Sequence, residues 1–75
     1  MFNVVNSIPI GNNLAVTIDG ACDLKSGTLL KDENGTMFTL LSTGMARYIN
    51  ANDIKNYTEI LLAPNRKIGR TLFLN

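Results

Sequence analysis

Apolar and polar positions along this chain change over about every second residue, in short runs cut by Gly, Asn and Asp, with little at the spacing of a helix. Leu14, Val16 and Ile18 point one way and Ala15 and Thr17 the other, which predicts a half-buried strand after a turn at Gly11-Asn12-Asn13. Residues 2–8 predict a first strand with Phe2, Val4 and Ile8 on one face, ended by Pro9, which has no amide for a ladder. The strongest local signal is Asn34-Gly35 between two apolar runs, which predicts a hairpin joining residues 28–31 to residues 36–41. Thr43-Gly44 breaks the pattern, and residues 45–49 suit a short strand. Residues 50–56 suit a loop or a single helical turn around Asp53-Ile54-Lys55. Residues 57–63 read as a strand stopped by Pro64-Asn65, and residues 67–74 as the last one.

Six or seven short strands without helices predict an all-β chain, a small antiparallel barrel built as one domain over residues 1–75. Closure removes the bare edges that a small open sheet would leave for aggregation, although alternation alone does not separate a barrel from a sandwich. The expected core is Val4, Ile8, Leu14, Val16, Ile18, Leu29, Phe38, Leu40, Ile60, Leu62, Leu72 and Leu74. A chain of 75 residues buries only roughly 60% of its unfolded surface, so its stability margin is thin and a partner contact matters to it.

Composition narrows the chemistry. With 45% hydrophobic and 17% charged residues the chain is too apolar for disorder, and it lacks a run long enough to cross a membrane as a helix. Net charge is +1, so no global basic field draws nucleic acid. There is no His, which removes the commonest general base and nitrogen ligand, and the one Cys22 builds neither a disulfide framework nor a thiolate metal site. The expectation is a non-enzymatic protein with no cofactor and no metal. Met1-Phe2-Asn3 does not open a secretory leader, so the expected setting is the cytoplasm. The sequons at Asn34 and Asn56 then read as chance matches.

Few constellations remain. Asp32-Glu33 beside the hairpin tip reads as a solvated turn rather than an acid and base pair, and Asp19 with Asp23 as turn residues rather than a cation loop. Cys22 reads as a small half-buried residue with nothing nearby to activate it. Arg66, Lys67 and Arg70 fall within five residues, with Arg47 and Tyr48 as candidate neighbours in space. The plain reading is solubilising charge at a strand start; the functional one is an anion, RNA or partner contact, Arg clasping phosphate and Tyr48 stacking on a base.

The order of these features resembles the second, β-barrel domain of translational GTPases of the elongation factor Tu type. Gly11-Asn12-Asn13-Leu14-Ala15-Val16-Thr17 is similar to the family's Gly-Arg-Gly-Thr-Val-Val-Thr. Residues 24–30, Leu-Lys-Ser-Gly-Thr-Leu-Leu, are similar to its Ile-Lys-Val-Gly-Asp-Glu-Ile, and Lys67-Ile68-Gly69-Arg70 stands where it carries a late Gly-Asp-Xaa-Val-Gly. The resemblance implies a barrel and a binding surface without GTP hydrolysis, since the chain holds no GTPase domain. Asn12 replaces the family's Arg, Asn13 its second Gly, Ile18 the Gly after Thr17, and Thr28 the Asp after the later Gly. These departures put in doubt the family's contacts to the acceptor end of transfer RNA and to its own GTPase domain, and leave the barrel itself as the expectation.

A second class fits the same residues. Small β proteins that decorate phage capsids or join virion parts are similar in having an early strand, a Lys-Xaa-Gly-Thr-Leu-Leu-like turn and then an Asn-Gly hairpin. On that reading the protein works by self-association or by binding a protein surface. The two classes separate by salt: phosphate contacts weaken as salt rises, and apolar contacts do not.

Overall fold

The computed structural model describes residues 1–20, 22–48 and 56–75, with the side chains of residues 45–48 and 56 set aside. The expected loop or helical turn around Asp53-Ile54-Lys55 lies outside the described residues. Six strands close into an antiparallel barrel: β1 (Phe2–Ile10), β2 (Asn13–Asp19), β3 (Leu29–Asp32), β4 (Met37–Tyr48), β5 (Asn56–Ala63) and β6 (Thr71–Leu74). Their order around the barrel is β1-β2-β5-β4-β3-β6, with β6 returning to β1. The all-β barrel is therefore as the alternation predicts, with six strands.

The alternation of β2 and β5 sets the core. Leu14, Val16 and Ile18 stand directly opposite Leu62, Ile60 and Thr58, and all six are buried. Leu30, Phe38, Leu40 and Leu72 complete the interior, with Phe2, Val4, Cys22, Leu24 and Ile68 packed against it. Thr58, a hydroxyl in an apolar wall, is satisfied by donating to the Gly20 carbonyl at 2.6 Å.

Several expected boundaries and faces shift, each for a local reason. Pro9 does not end β1; it sits in register with Leu14, and the strand runs on to Ile10 and a tight turn at Gly11-Asn12. A bulge between Val4 and Asn6 reverses the alternation, so Val4 faces Ile18 inside while Ile8 pairs with Ala15 outside and is 56% exposed. Leu30, not Leu29, points inward on β3, and Leu74 lies exposed at the end of β6. The stretch broken at Thr43-Gly44 is one long strand, β4, which absorbs the break as irregularities between Leu40 and Ser42 and between Thr43 and Ala46. Residues 67–70 are not strand: β6 begins at Thr71.

Candidate functional site

The β3–β4 turn has a side chain at its centre that alternation alone would place in the core. Leu30 faces inward, so two residues on Asp32 does too, and it is 2% exposed. A buried carboxylate needs donors, and Asp32 has three. The amides of Asn34 and Thr36 donate to its Oδ1 at 2.9 and 2.8 Å, and the amide of Gly69 donates to its Oδ2 at 2.9 Å. The first two shape the turn. Gly35 donates its amide to the Asp32 carbonyl at 3.0 Å and takes a left-handed φ of 85°, so the turn is centred on Glu33-Asn34 and closed by a glycine bulge. A primed turn centred on Asn34-Gly35 would need a positive φ at Asn34, and among the described residues only glycines have one.

Glu33 continues the same device from outside. Its carboxylate accepts the Arg70 amide at 2.9 Å from each oxygen and the Thr71 amide at 3.4 Å. The Arg70 amide is the largest influence on its acidity and holds the carboxyl below its usual value of 4.5, against a smaller opposing effect of desolvation. The carboxylate lies so close over Gly69 that a Cβ there would collide with Oε1. Asp32 and Glu33 therefore form a paired fastening between the hairpin and residues 69–71, which corrects the expectation of a solvated turn. An open groove lined by Lys31, Asp32, Glu33, Gly35 and Phe73 runs beside it. Both carboxylates accept backbone amides and so hold chain, and for Glu33 these bonds favour the ionised, weakly basic form.

The segment they hold is the β5–β6 connection. It is tied near the β1–β2 turn, where Asn65 donates its amide to the Asn12 carbonyl at 2.8 Å. At its other end the Arg70 carbonyl accepts the Val4 amide at 2.8 Å. Between these points Ile68 packs toward the core while Arg66, Lys67 and Arg70 are exposed. Arg47 and Tyr48 lie at the end of β4, in register with Tyr57 and Asn56 of β5; their side chains are outside the described residues. Tyr57 and Ala63, from which the connection starts, stand at opposite ends of β5. The structure thus strings Arg66, Lys67 and Arg70 along one connection, and places the backbone of Arg47 and Tyr48 at the other end of β5 from its start.

The exterior holds a feature that the sequence reading missed. Ile8 pairs with Ala15, Ala15 with Leu61, and Leu61 with Ser42, giving one row across β1, β2, β5 and β4 on the outer face. Leu41, squeezed out by the irregularity beside Ser42, is exposed next to it, and Ile10 is exposed two pairs further along β1. No charged residue stands in this row, and none occurs anywhere in the chain before Asp19. Among the described residues, Met1, Val5, Ile8 and Ile10 make up four of the seven large hydrophobic side chains left exposed. The signal was present in sequence as an uncharged first strand, but a bulge was needed to turn Ile8 outward.

Among the described residues no cluster of three or more His, Cys, Asp or Glu is arranged to hold a metal ion. Among the described residues no helix is long and apolar enough to cross a membrane. The fold and the site together define a closed six-stranded barrel whose chemistry-bearing carboxylates are committed to its own backbone and whose exterior carries an uncharged apolar row. No protein-family model matches the chain, and neither does any curated protein or solved structure.

Proposed function

We propose that this protein is a non-enzymatic interaction module that works by docking its outer surface onto another protein surface. The observation that carries this reading is the row Ile8–Ala15–Leu61, in which Ile8 is exposed and Ala15 and Leu61 half-buried, continuing onto the exposed Leu41 and Ser42. Contiguous apolar exterior without charge is unusual on a small soluble domain and marks a contact surface. A shell-decorating or assembly role, in which a thin core gains stability from its contacts, is the setting that suits such a surface best. The commitment of Asp32 and Glu33 to backbone amides supports the non-enzymatic part.

A second reading, contact with RNA as in the barrel domains of translation factors, is favoured by one observation: Arg66, Lys67 and Arg70 are all exposed on a single connection. Such a string suits phosphate contact more than base recognition.

Solution mass, measured by light scattering behind a sizing column with and without a short single-stranded RNA, separates the two. An assembly indifferent to salt supports the protein-contact reading. A complex that forms with RNA at about 50 mM salt and dissolves at about 200 mM supports the second, because phosphate contacts release counterions. A monomer inert to RNA under both conditions overturns self-association and the RNA reading.

A further inference from the structure

The hairpin tip carries two residues able to react with one another. Asn34 is the one asparagine of this chain that is followed by glycine, and both residues are exposed. A glycine in second place leaves its backbone nitrogen unshielded by a Cβ, so that nitrogen can reach the side-chain amide carbon of the asparagine before it. The turn holds the two apart. Its closing bond runs from the Gly35 amide to the Asp32 carbonyl at 3.0 Å, and neither Glu33 nor Asn34 has a positive φ, which selects a type I turn with Asn34 in third place. There ψ is about 0°, so the Gly35 nitrogen eclipses the Asn34 nitrogen. Ring closure needs it to eclipse Cβ, a third of a rotation away. The amides of Asn34 and Thr36, both on Asp32 Oδ1 at 2.9 and 2.8 Å, hold the backbone on either side against that rotation.

We propose that Asn34 is a self-modification site gated by the Asp32 fastening: when the turn opens, Gly35 converts the Asn34 side-chain amide to an acid. The Gly35 nitrogen gives up its proton and bonds to Asn34 Cγ. The Cγ–Nδ2 bond breaks, and Nδ2 takes up a proton and leaves as ammonia, so that a five-membered imide remains. Water then adds to one of the two imide carbonyls, the bond from that carbon to the Gly35 nitrogen breaks, and the nitrogen regains its proton. Opening at Cγ leaves aspartate at position 34. Opening at the backbone carbon leaves isoaspartate, with the main chain running through Cβ and longer by a methylene. One water is consumed and one ammonia released, with no change of oxidation state.

Either product acts back on the fold. The new carboxylate joins Asp32 and Glu33 as a third like charge in consecutive residues. Isoaspartate also lengthens a turn whose ends are fixed by the Asp32 amide on the Thr36 carbonyl at 3.0 Å. The bonds that Asp32 and Glu33 accept from the Gly69 and Arg70 amides then loosen. The conversion runs one way and unfastens the β5–β6 connection.

Mass spectrometry tests this on the intact chain, incubated at about pH 9 either folded or in urea and then digested with trypsin. Cleavage after Lys31 and Arg47 frees residues 32–47, in which Asn34 is the only asparagine. Conversion is expected to be at least about tenfold slower in the folded chain, because ring closure must first break one backbone bond and two charge-assisted ones. Asp32→Asn turns an NH2 group toward at least one of the three amides. Provided that circular dichroism shows it folded, it is expected to speed conversion at least about fivefold. If that variant does not fold, urea below the unfolding transition takes its place: local opening of a turn exposes little surface, so the wild-type rate should stay flat as urea rises. The converted chain, separated on ion exchange by its added negative charge, is expected to exchange its Gly69 and Arg70 amides for deuterium at least about tenfold faster than wild type. Equal conversion in folded and unfolded chains, a folded Asp32→Asn no faster than wild type, or a wild-type rate that climbs with urea as steeply as global unfolding overturns the gate. A converted chain whose Gly69 and Arg70 amides exchange as in wild type overturns the unfastening.

Discussion

Asp32 and Gly69, 37 residues apart, are joined by a hydrogen bond of 2.9 Å from the Gly69 amide to a carboxylate oxygen that is buried in the barrel wall. This bond ties the hairpin to the last connection, and with the Asn34 and Thr36 amides it satisfies an ionisable group that would otherwise have no place in a core. Asp32→Ala strips three amides of their acceptor at once. Leaving buried donors unmade costs about 1–3 kcal/mol each, so the expected loss is at least ~2 kcal/mol, a large share of what a small domain has. A urea midpoint within error of wild type would show that water replaces the carboxylate without cost.

The next expectation concerns Gly69 and Glu33. A methyl group on Gly69 has no room while the Glu33 carboxylate rests on it, yet that carboxylate sits at the end of a flexible exposed side chain. Gly69→Ala is therefore expected to act by pushing Glu33 away from the Arg70 and Thr71 amides. In a double-mutant cycle the damage done by Gly69→Ala should shrink in a Glu33→Ala background. Strict additivity of the two changes would refute the coupling.

Acid provides a separate handle on the same contact. The Glu33 carboxyl is held below 4.5 when folded, chiefly by the Arg70 amide. A group whose folded value is depressed adds stability that is complete above its unfolded value and fades as the pH falls through the folded one. The stability difference between wild type and Glu33→Gln is thus expected to be constant from pH 7 to near pH 5 and to narrow below 4.5. Chemical denaturation across that series checks it, and a difference that widens in acid would reverse the assignment.

Core and exterior should respond oppositely along strands of similar sequence. Leu40 is fully buried, and Leu40→Ala is expected to cost roughly 2–5 kcal/mol. Leu29→Ala and Leu74→Ala, both at exposed positions, should stay within about 0.5 kcal/mol of wild type. Thermal melts of the three variants suffice, and a Leu29→Ala as damaging as Leu40→Ala would place the wrong face of β3 inside.

How far sequence alone reaches is shown by these residues. On β2 and β5 the ladder between Leu14 and Thr58 runs without a bulge, so period two holds and the inward residues follow directly. On β1 the same reasoning misplaces Ile8, because the bulge after Val4 adds one residue and every later side chain changes face. On β3 the choice lay between Leu29 with Lys31 inside and Leu30 with Asp32 inside. Apolar preference does not decide between two leucines. What decides is that a short carboxylate at position 32 reaches the amides of its own turn and of Gly69, and the last of these is invisible without the fold. The basic candidates read as a cluster because Arg66, Lys67 and Arg70 fall within five residues, and a strand there would send Lys67 and Arg70 to opposite faces. In the barrel they lie on a connection with no ladder to set their faces.

The order of strands has a consequence in time. β1 with β2 and β3 with β4 are local hairpins, but neither hairpin shares a ladder with the other: β5 lies between β2 and β4, and β6 between β3 and β1. Each hairpin can zip in about 1–10 μs, yet each alone leaves its apolar side facing water. The interior exists only once β5, paired with its sequence neighbour β4, has met β2, and β6 has been laid between β3 and β1. Folding should therefore be slow for so short a chain and all-or-none in character, its rate set by the search for those two seams rather than by its turns.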